Sequence, residues 1–209
     1  VLSSAAKEYM KVYGVLVGKK PIVFTNNDSA YETAIEFKKN NIDPIVLDSR
    51  QDSNSEIIKE AKSLGIDIKF SHVVVAAKGY KKVKSCDIAE ISENKQNLNQ
   101  IKNIECDCIC VSGFWTPTIH LASQSGSKTK FKEEIDAFIP DKSKQKEVTL
   151  GSANGIFTLE ETLKTSFDKG YELSKEITKK NNTQQIPKVL EKKHSKHDRF
   201  WCVPLPKGK

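Results

Sequence analysis

The sequence lacks the signatures by which many enzymes identify themselves. None of its 10 glycines falls in a G-x-G-x-x-G turn, so the standard pyrophosphate cradle is missing. It has no G-x-S-x-G, no C-x-x-C and no pair of carboxylates at a recognisable catalytic spacing, so nothing marks a self-contained catalytic centre. No apolar run is long enough to span a membrane, and no secretory signal is recognisable, so a reduced, cytoplasmic protein is the expectation. The net charge of +7 comes without an aromatic-plus-basic motif, so neither nucleic acid nor membrane is expected as a partner. Five cysteines are present, with Cys106, Cys108 and Cys110 alternating in one strand-like run. Alternate strand residues share a face but lie too extended to chelate one metal ion together. Hydrophobic residues make up 37% of the 209, enough for one large domain or two small ones around modest cores.

What is present is organised around Ile22–Asp48. An apolar run (Ile22, Val23, Phe24) stops at a polar cluster (Thr25, Asn26, Asn27, Asp28, Ser29). A helical pattern follows through Ala30, Ala34, Ile35 and Phe37, breaks at Asn40 and Asn41, and gives way to Ile45, Val46, Leu47 and Asp48. This is the strand–turn–helix–strand opening of a Rossmann-like sheet. The free N–H groups of such a helix attract phosphate, and an acid at the end of the second strand, here Asp48, is where a ribose hydroxyl is often held. Asn26, Asn27 and Asp28 tolerate the turn geometry, yet their side chains crowd the space a pyrophosphate needs. Three readings stay open for this turn: a structural unit without ligand, a single phosphate or flavin phosphate, or a full dinucleotide.

The remaining chain extends the pattern. A helix is expected over 3–12, closed by Gly14 and Gly18, a second over 55–64, closed by Gly65, and a third strand over 66–70. The β-α-β-α-β order implies a parallel sheet. Strands over 72–77 and 83–91, joined by a turn at 78–81, read as an antiparallel meander, and 92–102 reads as a surface turn or short helix. A buried strand is expected over 106–112, then a further strand from Val148 that enters the loop Gly151–Ser152–Ala153–Asn154–Gly155. A long helix over 158–179 follows, with Thr158 as its cap, and beyond 181 the chain turns polar and basic. Small residues ahead of a helix make that loop the second nucleotide candidate; an ordinary strand–helix connection fits equally. His120 reads as structural, and His194 with His197 as a solvated pair. The start at Val1, inside an expected helix, and the unfinished end read as a piece of a longer polypeptide.

Four collinear segments carry a resemblance: VFTNNDSAY (23–31), CDCICVSGFWTPTIHLASQSGSK (106–128), AFIP (137–140) and GSANGIFTL (151–159). In this order they resemble the alpha subunit of heterotetrameric sarcosine oxidase, over most of the chain up to about Gly170. The family oxidatively demethylates sarcosine to glycine, producing hydrogen peroxide and a folate-bound one-carbon unit. The resemblance implies NAD on the alpha subunit, FAD and FMN in the assembled complex, tetrahydrofolate in a domain outside this chain, and beta, gamma and delta subunits as partners. It implies a two-domain fold like that of thioredoxin-reductase-type flavoproteins. Residues 1–17 would be a connecting helix, 18–105 an inserted Rossmann-like domain with its meander, 106–180 the return to the NAD-binding first domain, and 181–209 a basic linker. Ser152, Phe157 and Leu159 fall where family NAD contacts are expected, within a loop that includes Ala153, Asn154 and Gly155. Thr25, Asn26, Asn27 and Asp28 are candidates for a flavin-facing surface. The family usually has Ala where this chain has Ser152. The alternatives are the alpha-type subunit of a related dimethylglycine or proline dehydrogenase, and a non-catalytic nucleotide-binding or docking module.

Overall fold

A computed structural model of the chain describes residues 1–113, 115–178, 186, 188–189, 197–200 and 202–205. They fall into two compact units, one comprising residues 1–114 and 192–209, the other 115–191.

The first unit is an α/β layer structure. Helix α1 (Ser3–Tyr13) precedes strand β1 (Pro21–Thr25), helix α2 (Tyr31–Lys39), strand β2 (Ile45–Asp48), helix α3 (Glu56–Ser63) and strand β3 (Asp67–Phe70). Strand β4 (His72–Tyr80), β5 (Lys82–Glu90) and β6 (Lys102–Glu105) form an antiparallel sheet, and β7 (Cys108–Ser112) returns to the parallel one. The parallel order is β3-β2-β1-β7, with β1 between β2 and β7. Successive strands therefore run outward from β1 in one direction, and the chain re-enters on its other side. That reversal between β1 and β7 is a topological switch point, where α/β sheets leave a crevice at the carboxyl ends of their strands.

Side-chain alternation along β1 explains the layering. Val23 packs with Val46, Cys108 and Cys110 against Ala6, Met10, Ala34, Phe37, Ile58 and Ala61 of the helices. Ile22 and Leu47 point the other way, into a second core with Cys86, Ile88 and Cys106 of the antiparallel side. Helix α2 ends where Asn41 takes a left-handed φ of 59°, and Ile42 N–H returns to the Phe37 carbonyl at 3.0 Å. Asn tolerates that conformation without a glycine.

The three alternating cysteines do not share a face. The strand begins at Cys108, not Cys106, because Asp107 interrupts the run. Its carboxylate accepts the N–H groups of Lys19 (2.7 Å) and Lys20 (2.8 Å), while its own N–H donates to the Lys20 carbonyl (3.2 Å). Gly18 makes this approach possible, since a Cβ there would meet Asp107 Oδ1 at 2.6 Å and Cys108 Cβ at 2.6 Å. Cys106 stays with the antiparallel sheet, its N–H bonded to the Lys84 carbonyl at 3.1 Å. The expected 106–112 strand thus divides into the end of one core and the start of another. β7 completes the parallel sheet, and the first compact unit accordingly runs through residue 114 and includes residues 192–209.

The meander is longer than its apolar residues suggest. Strand β4 continues to Tyr80 and the reversal occupies Tyr80–Lys82, with Lys81 at φ 63°. Residues 92–101 take the turn alternative and not the short helix, and β6 begins at Lys102.

The second unit holds helix α4 (His120–Gln124), the hairpin β8 (Thr129–Lys132) with β9 (Ala137–Pro140), and the 20-residue helix α5 (Leu159–Thr178). Phe131 and Phe138 meet edge to face across the hairpin, with centroids 5.3 Å apart. Residues 147–150 form no strand; Gly151–Asn154 is a short 3-10 turn that leads towards α5. Helix α5 begins directly after Thr158, whose carbonyl accepts the Thr162 N–H at 3.0 Å.

Candidate functional site

The β1–α2 turn builds its geometry from side chains where a dinucleotide turn uses glycine. Thr25 Oγ1 donates to the Asn27 carbonyl at 2.9 Å and receives the Asn27 N–H at 3.1 Å. Asn27 Oδ1 caps the following turn by accepting the Ser29 N–H at 3.0 Å. Its amide donates across the switch point to the carbonyl oxygens of Ser112 (3.3 Å) and Gly113. Asn27 therefore laces the end of β1 to the end of β7. The space that glycines leave open for pyrophosphate is filled by an amide and its partners.

The acid at the end of β2 is equally committed. Asp48 and Asp28 have fully buried side chains, and Arg50 reaches both. Arg50 Nε and Nη2 grip Asp48 Oδ1 (2.9 Å) and Oδ2 (2.7 Å), while Nη1 donates to Asp28 Oδ1 at 2.8 Å. Tyr31 Oη donates to Asp48 Oδ2 at 2.7 Å, and the Arg50 N–H donates to Asp48 Oδ1 at 3.0 Å. Burial opposes charge on the guanidinium, but the two carboxylates outweigh it and raise its pKa. Burial, followed by the Asp48 charge, holds the Tyr31 phenol protonated well above its ordinary range. Sequence reading placed Asp48 correctly at the strand end but missed Arg50 and Tyr31. The only sequence signal for them is an arginine two residues after a strand-end acid, plus a tyrosine on the first turn of α2.

A crevice does lie above the carboxyl ends of β1 and β7, but it is small. Its volume is about 110 Å³, against roughly 300 Å³ or more for a typical small-molecule site. Thr25, Asn26, Ser112 and Gly113 line one side, and Phe200 and Val203 from the far end of the chain line the other. Asn26 holds that end directly: Nδ2 donates to the Asp198 carbonyl at 2.9 Å, and the Asp198 N–H donates to the Asn26 carbonyl at 3.0 Å. The residues present do not fit a dinucleotide here. A larger concavity of about 320 Å³ lies against α1, and the described residues that line it, Ala5, Glu8, Tyr9 and Tyr13, include no cation for a phosphate.

The second candidate, Gly151–Leu159, is a different kind of surface. Gly151 and Gly155 bracket the turn with φ of 62° and 74°. Gly155 is a packing glycine: a Cβ there would collide with Ile135 Cδ1 and stand 3.1 Å from Ile139 Cγ2. Ser152, Phe157 and Leu159 are exposed, and Ala153 and Asn154 are half-buried. The start of α5 carries Glu160 and Glu161, whose charges favour the helix end themselves. These residues present a hydroxyl, an amide and two apolar side chains, and supply no phosphate-binding cation.

Near this loop in sequence, Glu147 Oε1 accepts the hydroxyls of Ser125, Ser127 (2.7 Å) and Ser143 (2.9 Å), which lower its pKa. His120 opens α4 in an exposed position, and His72 Nδ1 lies 2.7 Å from the Phe70 carbonyl. His194 lies outside the described residues, and His197 is half-buried. Among the described residues no cluster of three metal-ligating side chains occurs, and no helix is long and apolar enough to cross a membrane.

The fold defines the class. The chain has the α/β architecture of thioredoxin reductases: it aligns with the T. acidophilum enzyme at a TM-score of 0.50 and 14% identity, covering 73% of this chain and 51% of that one. The Lactococcus lactis thioredoxin reductase in its FR conformation gives a TM-score of 0.50 at 15% identity, covering 66% and 46%. No family model matches the chain.

Sequence similarity is more specific. The chain resembles sarcosine oxidase alpha subunits: 27% identity to that of Corynebacterium sp. (strain P-1), over 100% of this chain and 21% of the relative. The alpha subunit from Rhizobium meliloti (strain 1021) is 28% identical over 73% of this chain and 14% of its own length. The chain thus spans about a fifth or less of these curated relatives.

Proposed function

We propose that this chain is part of the alpha subunit of a sarcosine-oxidase-type oxidoreductase. The observation that carries the reading is similarity to proteins of that name, which extends over the whole chain for one of them. In this reading the assembled enzyme demethylates sarcosine oxidatively to glycine, with hydrogen peroxide and a folate-bound one-carbon unit as products. It works in the cytoplasm with beta, gamma and delta subunits, with FAD and FMN, and with tetrahydrofolate held outside this chain.

The chain's own contribution is scaffold and surface. Ser152, Ala153, Asn154, Gly155, Phe157 and Leu159 contact the neutral portion of a bound NAD, and its phosphates are held by other parts of the protein. NAD, when bound, supplies a hydride-accepting nicotinamide; the residues here orient and shield it. The α/β unit carrying Thr25–Asp28 contributes to the flavin-facing and subunit interface. With its acid and turn side chains already committed, it acts through shape and not through nucleotide chemistry.

The test is to purify the protein that carries this chain together with its associated subunits. NAD released on denaturation is quantified, and peroxide production is followed with sarcosine, dimethylglycine and proline. Stoichiometric NAD and sarcosine-dependent peroxide are expected. Turnover of proline or dimethylglycine without sarcosine activity would move the protein to a related dehydrogenase. Absence of NAD would remove the role given to Ser152–Leu159.

A further inference from the structure

We propose that the crevice above β1 and β7 is a polypeptide-docking groove whose resident ligand is the chain's own segment bearing Asp198, Phe200 and Val203. Three independent features support this. First, Asn26 makes a two-point main-chain clamp on Asp198, donating through its side chain (2.9 Å) and accepting through its carbonyl (3.0 Å). Such paired bonds read backbone and suit an extended peptide. Second, Lys95 forms an ion pair with the partly buried Asp198 carboxylate from the turn between β5 and β6. That turn is itself built: Lys95 has φ 58°, its N–H donates to the Ser92 carbonyl at 2.8 Å, and the Ser92 N–H donates to the Asn97 carbonyl at 3.0 Å. The segment is thus gripped from both sheets of the first unit. Third, Phe200 and Val203 line the crevice together with Phe24 and Val111, and only about 110 Å³ is left unfilled between them.

The groove is therefore committed to peptide. A nucleotide entering it would have to displace the segment and would still find Asp48 and Asp28 held by Arg50. The docked segment ties Asp198, Phe200 and Val203 to the carboxyl end of the parallel sheet, which gives the Rossmann-like unit an anchoring task. This holds whichever amine the enzyme oxidises.

The test uses hydrogen exchange read by mass spectrometry on the full protein carrying this chain, with the variants Asn26→Leu and Asp198→Ala. In each variant, exchange at the Asp198 and Phe200 amides is expected to rise by ~10-fold, the loss of one or two modest hydrogen bonds. Peptides from β1 and β2 are expected to keep their protection. Millimolar NAD or NADPH is expected to leave the wild-type segment unchanged. Unaltered protection in both variants would overturn the proposal, as would nucleotide-induced release of the segment. If Asn26→Leu also loosens β1, Asp198→Ala decides alone, because Asp198 lies outside the strand–helix unit.

Discussion

Replacing Arg50 with methionine keeps much of the buried side-chain stem and removes the charge that two enclosed carboxylates share. In the wild type, Asp48 receives both prongs of the guanidinium and Asp28 receives the third nitrogen, all at 2.7–2.9 Å. After the change, Asp48 keeps Tyr31 Oη and one backbone N–H. Removing one partner of a buried ionic cluster typically destabilises by ~3–5 kcal/mol, because the remaining charge is left in a poorly solvating interior. The deficit of Arg50→Met relative to wild type is therefore expected in full at neutral pH. Hydrogen exchange at the Val23, Val46 and Leu47 amides reports the parallel sheet specifically. A deficit below ~1 kcal/mol at neutral pH, where exposed pairs fall, would refute the reasoning. The triple variant with Asp28→Asn and Asp48→Asn should recover part of the loss.

Gly155→Val combines a left-handed backbone for a β-branched residue with a clash against Ile135 and Ile139. A destabilisation of ~2–4 kcal/mol in the second unit, with loss of NAD from the holoprotein and an intact parallel sheet, is expected from circular dichroism and released-cofactor assays. Of the five free cysteines only Cys202 is exposed, and burial, with Cys106 beside it, pushes the Cys86 thiol up to about 12. Ellman's reagent should titrate one thiol rapidly in the native chain and all five after denaturation; three or more fast thiols would contradict the packing. The Tyr31 phenol is buried against Asp48 and has a raised pKa. Its contribution is full below the ordinary value of 10.0 and lost as pH climbs above it. Tyr31→Phe should flatten the stability loss seen in alkaline unfolding curves, and an unchanged curve would exclude Tyr31 as its source.

Much of the fold was legible because it rests on period and punctuation. Val23 and Ile22 face opposite cores as strand alternation requires, and Asn41 ends α2 as its left-handed tolerance allows. Cys106–Ser112 was misread as one strand because apolar alternation cannot reveal that Asp107 is tied to the Lys19 and Lys20 amides. The β7–β1 pairing was hidden, since pairing partners far apart in sequence leave no local trace. At the candidate site, sequence gave warning of the crowded Asn26–Asp28 turn but could not place Arg50 between two acids or Asp198 against Asn26. Those contacts depend on the tertiary fold alone.

The pairing of β1 with β7 has a consequence for synthesis. One edge of β1 acquires β2 soon after it emerges, but the other waits until Cys108–Ser112 has been made. At ~5–20 residues per second that edge stays open for of order 10 s on the ribosome. During that time Ile22–Thr25 presents unpaired main-chain groups and an apolar face to its surroundings. The nascent chain is then most open to capture by a chaperone or by a neighbouring copy. The carboxyl end of this late-closing edge is also where Asn26 holds Asp198, a contact that forms after almost everything else in the unit has been translated.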